Sequence, residues 1–247
     1  MALEFRFEEL EEEIESFSGL AQSYLEASSM QVLRAWLDQL RSIRGAQSGL
    51  HYWSISEERP LWTNLCTEEQ NARDPELLGR LSMVWGITIP IGTPRGKGNR
   101  SHVFELSGIA STKVSLWRRA DNGGSREVAR WSFEVGSDDS PGCHFHVQIK
   151  ADDTDRLFPP SLSIPRLPGI LITPIDALDF LLGEVFQETW KKHLGKETDA
   201  LNAWSAIQRA RMLKLLDWHQ QEIRKGRGAV WSCMKHAKPD AKQLLSA

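Results

Sequence analysis

Residues 126–135 read Arg-Glu-Val-Ala-Arg-Trp-Ser-Phe-Glu-Val, and residues 143–150 read Cys-His-Phe-His-Val-Gln-Ile-Lys. Apolar and polar side chains alternate in both. Ala129, Trp131, Phe133 and Val135 fall on one side, with Arg130, Ser132 and Glu134 on the other. Cys143, Phe145, Val147 and Ile149 likewise oppose His144, His146, Gln148 and Lys150. Successive strand side chains point to opposite faces, so a period of two marks a strand with one face buried. Upstream, Val103–Leu106 and Lys113–Arg119 add two further runs. Asp121-Asn122-Gly123-Gly124 supplies residues that tolerate positive φ, as a tight hairpin requires. Together these runs predict a half-buried antiparallel meander.

Helical periods flank the meander on both sides. Within Glu8–Ile43, apolar residues such as Leu10, Ile14, Phe17, Leu33, Trp36, Leu37 and Leu40 recur at three- and four-residue steps, with a soft spot at Ser28-Ser29 and a small polar linker from Gly45 to Gly49. Between the linker and the meander, His51–Ile55 and Val84–Ile91 read as strands, and Asp74-Pro75-Glu76 reads as the start of a short helix through Leu81. After the meander, a proline-rich connector from Phe158 leads to Thr173-Pro174-Ile175-Asp176. That tetrapeptide has the form of an N-cap, a first-turn proline and the acidic end of a capping box. The helix that follows is apolar on most sides through about Lys192 and is expected to be the most buried. A second helix runs from Thr198 to about Lys225, with Leu201, Trp204, Met212, Leu215, Leu216 and Ile223 as its apolar stripe and Gly226 and Gly228 ending it. The expected architecture is α+β. An antiparallel sheet of four to six strands packs against the C-terminal helices, with an N-terminal helical segment over residues 1–45 and the core over 46–247, as a single domain.

A chain of 247 residues, 26% charged and 40% hydrophobic, is neither collagen-like nor low-complexity. Three widely spaced cysteines, Cys66, Cys143 and Cys233, give no disulfide framework and no zinc ribbon. With no basic and apolar leader at the start and no apolar run of membrane-spanning length, the expectation is a cytoplasmic protein with reduced thiols and no membrane partner. The formal charge of −3 gives no global drive toward nucleic acid, but its distribution is uneven. Residues 1–26 hold eight Glu against one Arg, and residues 187–247 hold twelve Lys and Arg against six Asp and Glu. Such ends either attract each other or face separate partners.

The strongest chemical candidate is the strand pair around His144 and His146. Two residues apart on one strand, both imidazoles project from the polar face, as they would to share a divalent metal. If Val135 pairs with Cys143, Glu134 faces His144 and Ser132 faces His146, giving a catalytic set of Glu134, His144 and His146, with Asp138 and Asp139 in the joining loop. Arg130 would steady an anionic substrate. Cys143 points to the apolar face as an ordinary buried thiol. Arg95, Lys97 and Arg100, in a glycine-rich loop from Gly92, are candidates for holding phosphate. Trp117 shares the polar face with Lys113 and Ser115 unless the N-terminal helices cover it, and ten tryptophans in the chain favour a binding surface. From Arg209 onward, bases alternate with Trp218, Trp231 and His236 as in nucleic-acid grooves. On a helical wheel, though, Arg211, Lys214 and Lys225 form a solvated flank and His219 sits in the apolar stripe.

These features give three expectations. The first is a non-catalytic binding or adaptor subunit of a cytosolic protein complex; by base rate such a chain is often a component of a bacterial conflict or defence system. The second is a metal-dependent hydrolase or phosphoesterase using His144 and His146. The third is a nucleic-acid-binding protein using the basic C-terminal region. With no complete catalytic signature in the chain, the balance leans away from an enzyme.

Overall fold

The longest strand, β5 (Val103–Arg119), organises the protein: β4 (Leu77–Ile89) pairs along one side of it, β1 (Leu3–Arg6) and β6 (Ser125–Val135) along the other. The computed structural model describes residues 3–92, 101–120, 123–136, 143–151 and 167–237. Six strands lie in the order β2 (Gly49–Ile55), β4, β5, β6, β7 (Phe145–Ala151) and β8 (Leu167–Pro168). β1 is added on β5 and β3 (Leu61–Trp62) on β4, and every pairing is antiparallel. The helices are α1 (Phe7–Ala21), α2 (Ala27–Arg44), α3 (Pro174–Leu194), α4 (Asp199–Lys225) and α5 (Val230–His236). This is the α+β arrangement expected, with a meander from β4 to β8. Among the described residues no helix is long and apolar enough to cross a membrane.

Three local readings of the sequence are corrected. Val103–Leu106 and Lys113–Arg119 belong to one strand, because Ser107-Gly108 makes a bulge and not a turn. Trp85 pairs with Ala110 and Ile87 with Leu106, so three residues of β5 oppose Gly86 alone, with Gly108 at φ 71°. Residues 75–81 are not helical. Leu77, Gly79, Leu81, Met83 and Trp85 alternate into the core as the start of β4, and the Leu77/Leu81 spacing suited either period. Gly79 lies under α3, where a Cβ would come within 2.7 Å of Leu181 Cγ. In the N-terminal segment the break falls at Gln22–Glu26, so Ser28 and Ser29 lie in the first turn of α2; Ser29 Oγ bonds the backbone of Trp62 in both directions, at 2.9 and 2.7 Å.

The helices gather on one face of the sheet. There, Trp131 and Phe133 meet Phe180 of α3, and the rings of Trp36 and Trp53 stack parallel with centroids 4.2 Å apart. α3 begins at the expected capping box: Asp176 N donates to Thr173 Oγ1 at 3.1 Å, and Thr173 N donates to Asp176 Oδ2 at 2.8 Å. Its Leu178, Leu181, Leu182, Val185 and Phe186 are fully buried, each worth about 1.5–3 kcal/mol of transfer free energy. α4 begins at Thr198 as expected, but its buried stripe is Trp204, Arg211, Leu215 and Trp218. Leu216 and Ile223, expected in that stripe, are 47% and 38% exposed. Arg211, expected on a solvated flank, is buried against Glu13 of α1.

Candidate functional site

The opposite face of the sheet is polar, and strand register fixes its rows. One row runs Ser54, Val84, Ser111, Glu134, His146; the next runs Ser82, Lys113, Ser132, Gln148; a third joins Trp62, Arg80, Ser115 and Arg130. The even-numbered residues of β4 from Leu78 to Thr88 point to this side because their odd-numbered neighbours fill the core.

The expected histidine site is brought only partly together. Val135 pairs with Phe145 and Glu134 with His146, a slip of two residues from the expected register. An even slip preserves the faces, so His146 remains polar-side but meets Glu134 where His144 was expected. Glu134 Oε2 stands 3.1 Å from His146 Nε2 and accepts from the Gln148 amide at 3.1 Å. His146 Nδ1 lies 3.0 Å from the Cys143 carbonyl oxygen. Both nitrogens of this buried ring therefore contact protein oxygens, and a metal there would have to displace one of them. His144 precedes the paired segment and rests against the ring of Phe145, centroids 5.0 Å apart. Among the described residues no three His, Cys, Asp or Glu side chains are grouped to hold a metal ion. Asp138 and Asp139 lie outside the described residues. Cys143 is buried, and burial raises its thiol pKa, as for an inert core cysteine.

Arg130 and Trp117 do share this face, and the structure adds residues that sequence reasoning missed. Trp117 is not covered by the N-terminal helices. Its neighbour is Trp62, edge-on at 5.6 Å between centroids, and the Arg80 guanidinium lies 5.7 Å from the Trp62 ring and 5.8 Å from that of Trp117. Trp117 Nε1 donates to Ser115 Oγ at 2.9 Å. The cations here are matched within the face: Lys113 with Glu57 at 2.6 Å, Arg130 with Glu127 at 2.6 Å, and Arg80 Nη2 donating to the Glu57 carbonyl at 2.5 Å. The hydrogen bond from Lys113, reinforced by its charge, holds the Glu57 carboxyl below its usual range. A hollow of about 240 Å³ opens among Ser54, Glu57, Ser82, Val84, Ser111 and Lys113, and the buried Ser111 hydroxyl has no hydrogen-bond partner among the described residues. The polar alternation of Arg80, Ser82 and Thr88 was the signal for β4's place here, hidden by reading its start as helix.

The other candidates fall elsewhere. Arg95, Lys97 and Arg100 lie outside the described residues. In the basic C-terminal region, Arg211 is committed to Glu13. His219, in part as expected, is partly buried with Nδ1 3.4 Å from Met234 Sδ, and burial lowers its pKa. Trp231 is exposed. No protein-family model matches this chain, and neither a curated protein nor a solved structure shows significant similarity to it.

Proposed function

We propose that the chain is a non-catalytic binding subunit of a cytosolic complex, engaging a protein partner through the polar face of its sheet. The observation that carries this reading is the Trp62–Arg80–Trp117 cluster, set on a face whose charges are paired with one another. Tryptophan and arginine supply a disproportionate share of binding energy in protein interfaces. A surface for nucleic acid instead draws its affinity from cations left free for phosphates, and here Lys113 and Arg130 are matched by Glu57 and Glu127. The free state of all three cysteines fits a reducing compartment.

Native mass spectrometry of the untagged chain, purified from its own host, tests this. The expected mass is that of the chain plus a second polypeptide, with the second component lost from the Trp117→Ala and Arg80→Ala variants. A mass exceeding the chain by one or two metal ions, and reverting in the His144→Ala/His146→Ala double variant, would replace this reading with the hydrolase.

A further inference from the structure

The Trp62–Arg80–Trp117 cluster is assembled by strand register. Trp62 pairs with Arg80 across β3 and β4, and Trp117 pairs with Leu78, two residues from Arg80 on the same side of β4. At Trp117 the ladder to β6 shifts: Leu116 pairs with Ala129 but Trp117 with Glu127, which leaves Val128 as the extra residue of a bulge. Bulges re-aim side chains and are over-represented beside functional sites. The Trp117 ring is then held by its N–H on the hydroxyl of Ser115, itself a buried residue.

The chain leaves the charge of Arg80 unbalanced. Lys113 and Arg130 each hold a carboxylate, from Glu57 and Glu127, whereas Arg80 makes no ion pair among the described residues. A guanidinium carries five N–H donors. Here Nη2 donates to the Glu57 carbonyl, and Nε is buried without an acceptor among the described residues. The Glu57 carboxyl is engaged elsewhere: Lys113 bonds it directly, while Arg80 acts on it only through space. A charged donor short of acceptors costs free energy, and a carboxylate recovers it best because its two oxygens match the guanidinium fork. The geometry also sorts the anions. The two rings stand at 72° to each other and Arg80 lies against both, so they offer no parallel platform for stacked bases. One unmatched charge beside two indoles suits a single carboxylate among apolar neighbours, not a run of phosphates.

We propose that the partner docks by placing the side-chain carboxylate of an Asp or Glu on Arg80, with apolar residues of the same segment packed on Trp62 and Trp117. This rests on the reading of the polar face as the partner surface and adds the partner's chemistry to it. Glu57 sets the strength of the site. While its carboxylate holds Lys113, one positive charge is left for the partner; without that carboxylate, two are left. Released from Lys113, the same carboxylate turns to Arg80 and competes with the partner's.

The probe is a displayed library of short random peptides selected on the full-length protein. The best binder, and its twin carrying the amide in place of the acid, are then measured by fluorescence anisotropy. Selected sequences are expected to carry Asp or Glu next to aromatic or aliphatic residues. The amide twin should bind the parent protein at least about tenfold more weakly, and the two twins should bind Arg80→Met equally. Glu57→Gln should strengthen binding of the acid peptide, a gain that unfolding cannot mimic, and Lys113→Ala should weaken it. Enrichment of sequences without an acid, still lost on Trp117→Ala, would overturn the proposal and leave the polar face as the partner surface. Binding indifferent to both Arg80→Met and Trp117→Ala would overturn the proposal and that reading together, and failure to enrich any sequence would overturn the proposal alone. A single-stranded DNA oligonucleotide bound by the parent and released by Arg80→Met would put a phosphate in the carboxylate's place.

Discussion

Arg211, midway along α4, grips Glu13, midway along α1, through two hydrogen bonds of 3.0 and 2.8 Å, with both side chains out of reach of solvent. Asp176 Oδ2 lies 3.4 Å from the same guanidinium, and Thr173 Oγ1 donates to Glu13 at 3.4 Å, so α1, α3 and α4 meet at one polar knot in the apolar layer. Burial raises the pKa of Glu13 while Arg211 opposes that rise. Removing the cation alone strands a buried carboxylate, so Arg211→Met is expected to cost about 3–5 kcal/mol. The double variant Glu13→Leu/Arg211→Met should recover most of that loss, since a buried pair replaced by apolar residues is often neutral. Urea denaturation of the four members of the cycle measures both numbers.

Thr173 serves that knot and caps α3 at once. Thr173→Ala should cost about 0.5–2 kcal/mol, the ordinary range for a lost N-cap. Thr173→Ser, which keeps the hydroxyl, should cost much less. Thermal unfolding of the two variants side by side separates the hydroxyl from the methyl.

His219 predicts a dependence on pH. Burial lowers its pKa from 6.5, so the unfolded chain binds its proton more readily than the folded one. Stability contributed by the neutral ring is present above pH 6.5 and is lost as pH falls through the lower folded value. His219→Leu should flatten the stability curve over that acid window relative to the parent and leave it little changed at pH 8. Because Nδ1 faces Met234 of α5, hydrogen exchange in residues 230–236 should accelerate first as the parent is acidified.

Two glycines of β4 should respond differently to the same change. A Cβ on Gly79 would meet the Leu181 side chain at 2.7 Å, whereas on Gly86 it would meet the Ser107 backbone oxygen at 2.0 Å. Gly79→Ala should therefore cost about 1–3 kcal/mol and be partly rescued by Leu181→Val. For Gly86→Ala the obstacle is main chain, and no single side-chain change should rescue it. Denaturant midpoints of the paired variants decide.

What the sequence made legible were its local signals. Thr173-Pro174-Ile175-Asp176 specified a helix start within four residues, and alternation in residues 126–135 and 143–150 specified two strands and their faces. Register was not local. The hairpin between Val135 and Cys143 allows several pairings of equal parity, so the faces of Glu134 and His146 were readable while their partnership was not. Gly79 misled because a glycine and three leucines within five residues suit a short helix as well as a strand; only the depth of α3 above it decides. Arg211 misled for a stronger reason. A helical wheel ranks an arginine as solvated, and its partner lies 198 residues away.

That separation also has a consequence in time. At about 5–20 residues per second, roughly 10–40 s pass between synthesis of Glu13 and synthesis of Arg211. Throughout that interval Phe17, whose ring finally closes on Trp204 at 4.9 Å, has no α4 to cover it. The first helix made is among the last completed. A nascent or truncated chain ending anywhere before α4 therefore carries its unfinished surface at its oldest end, far from the point where it stopped.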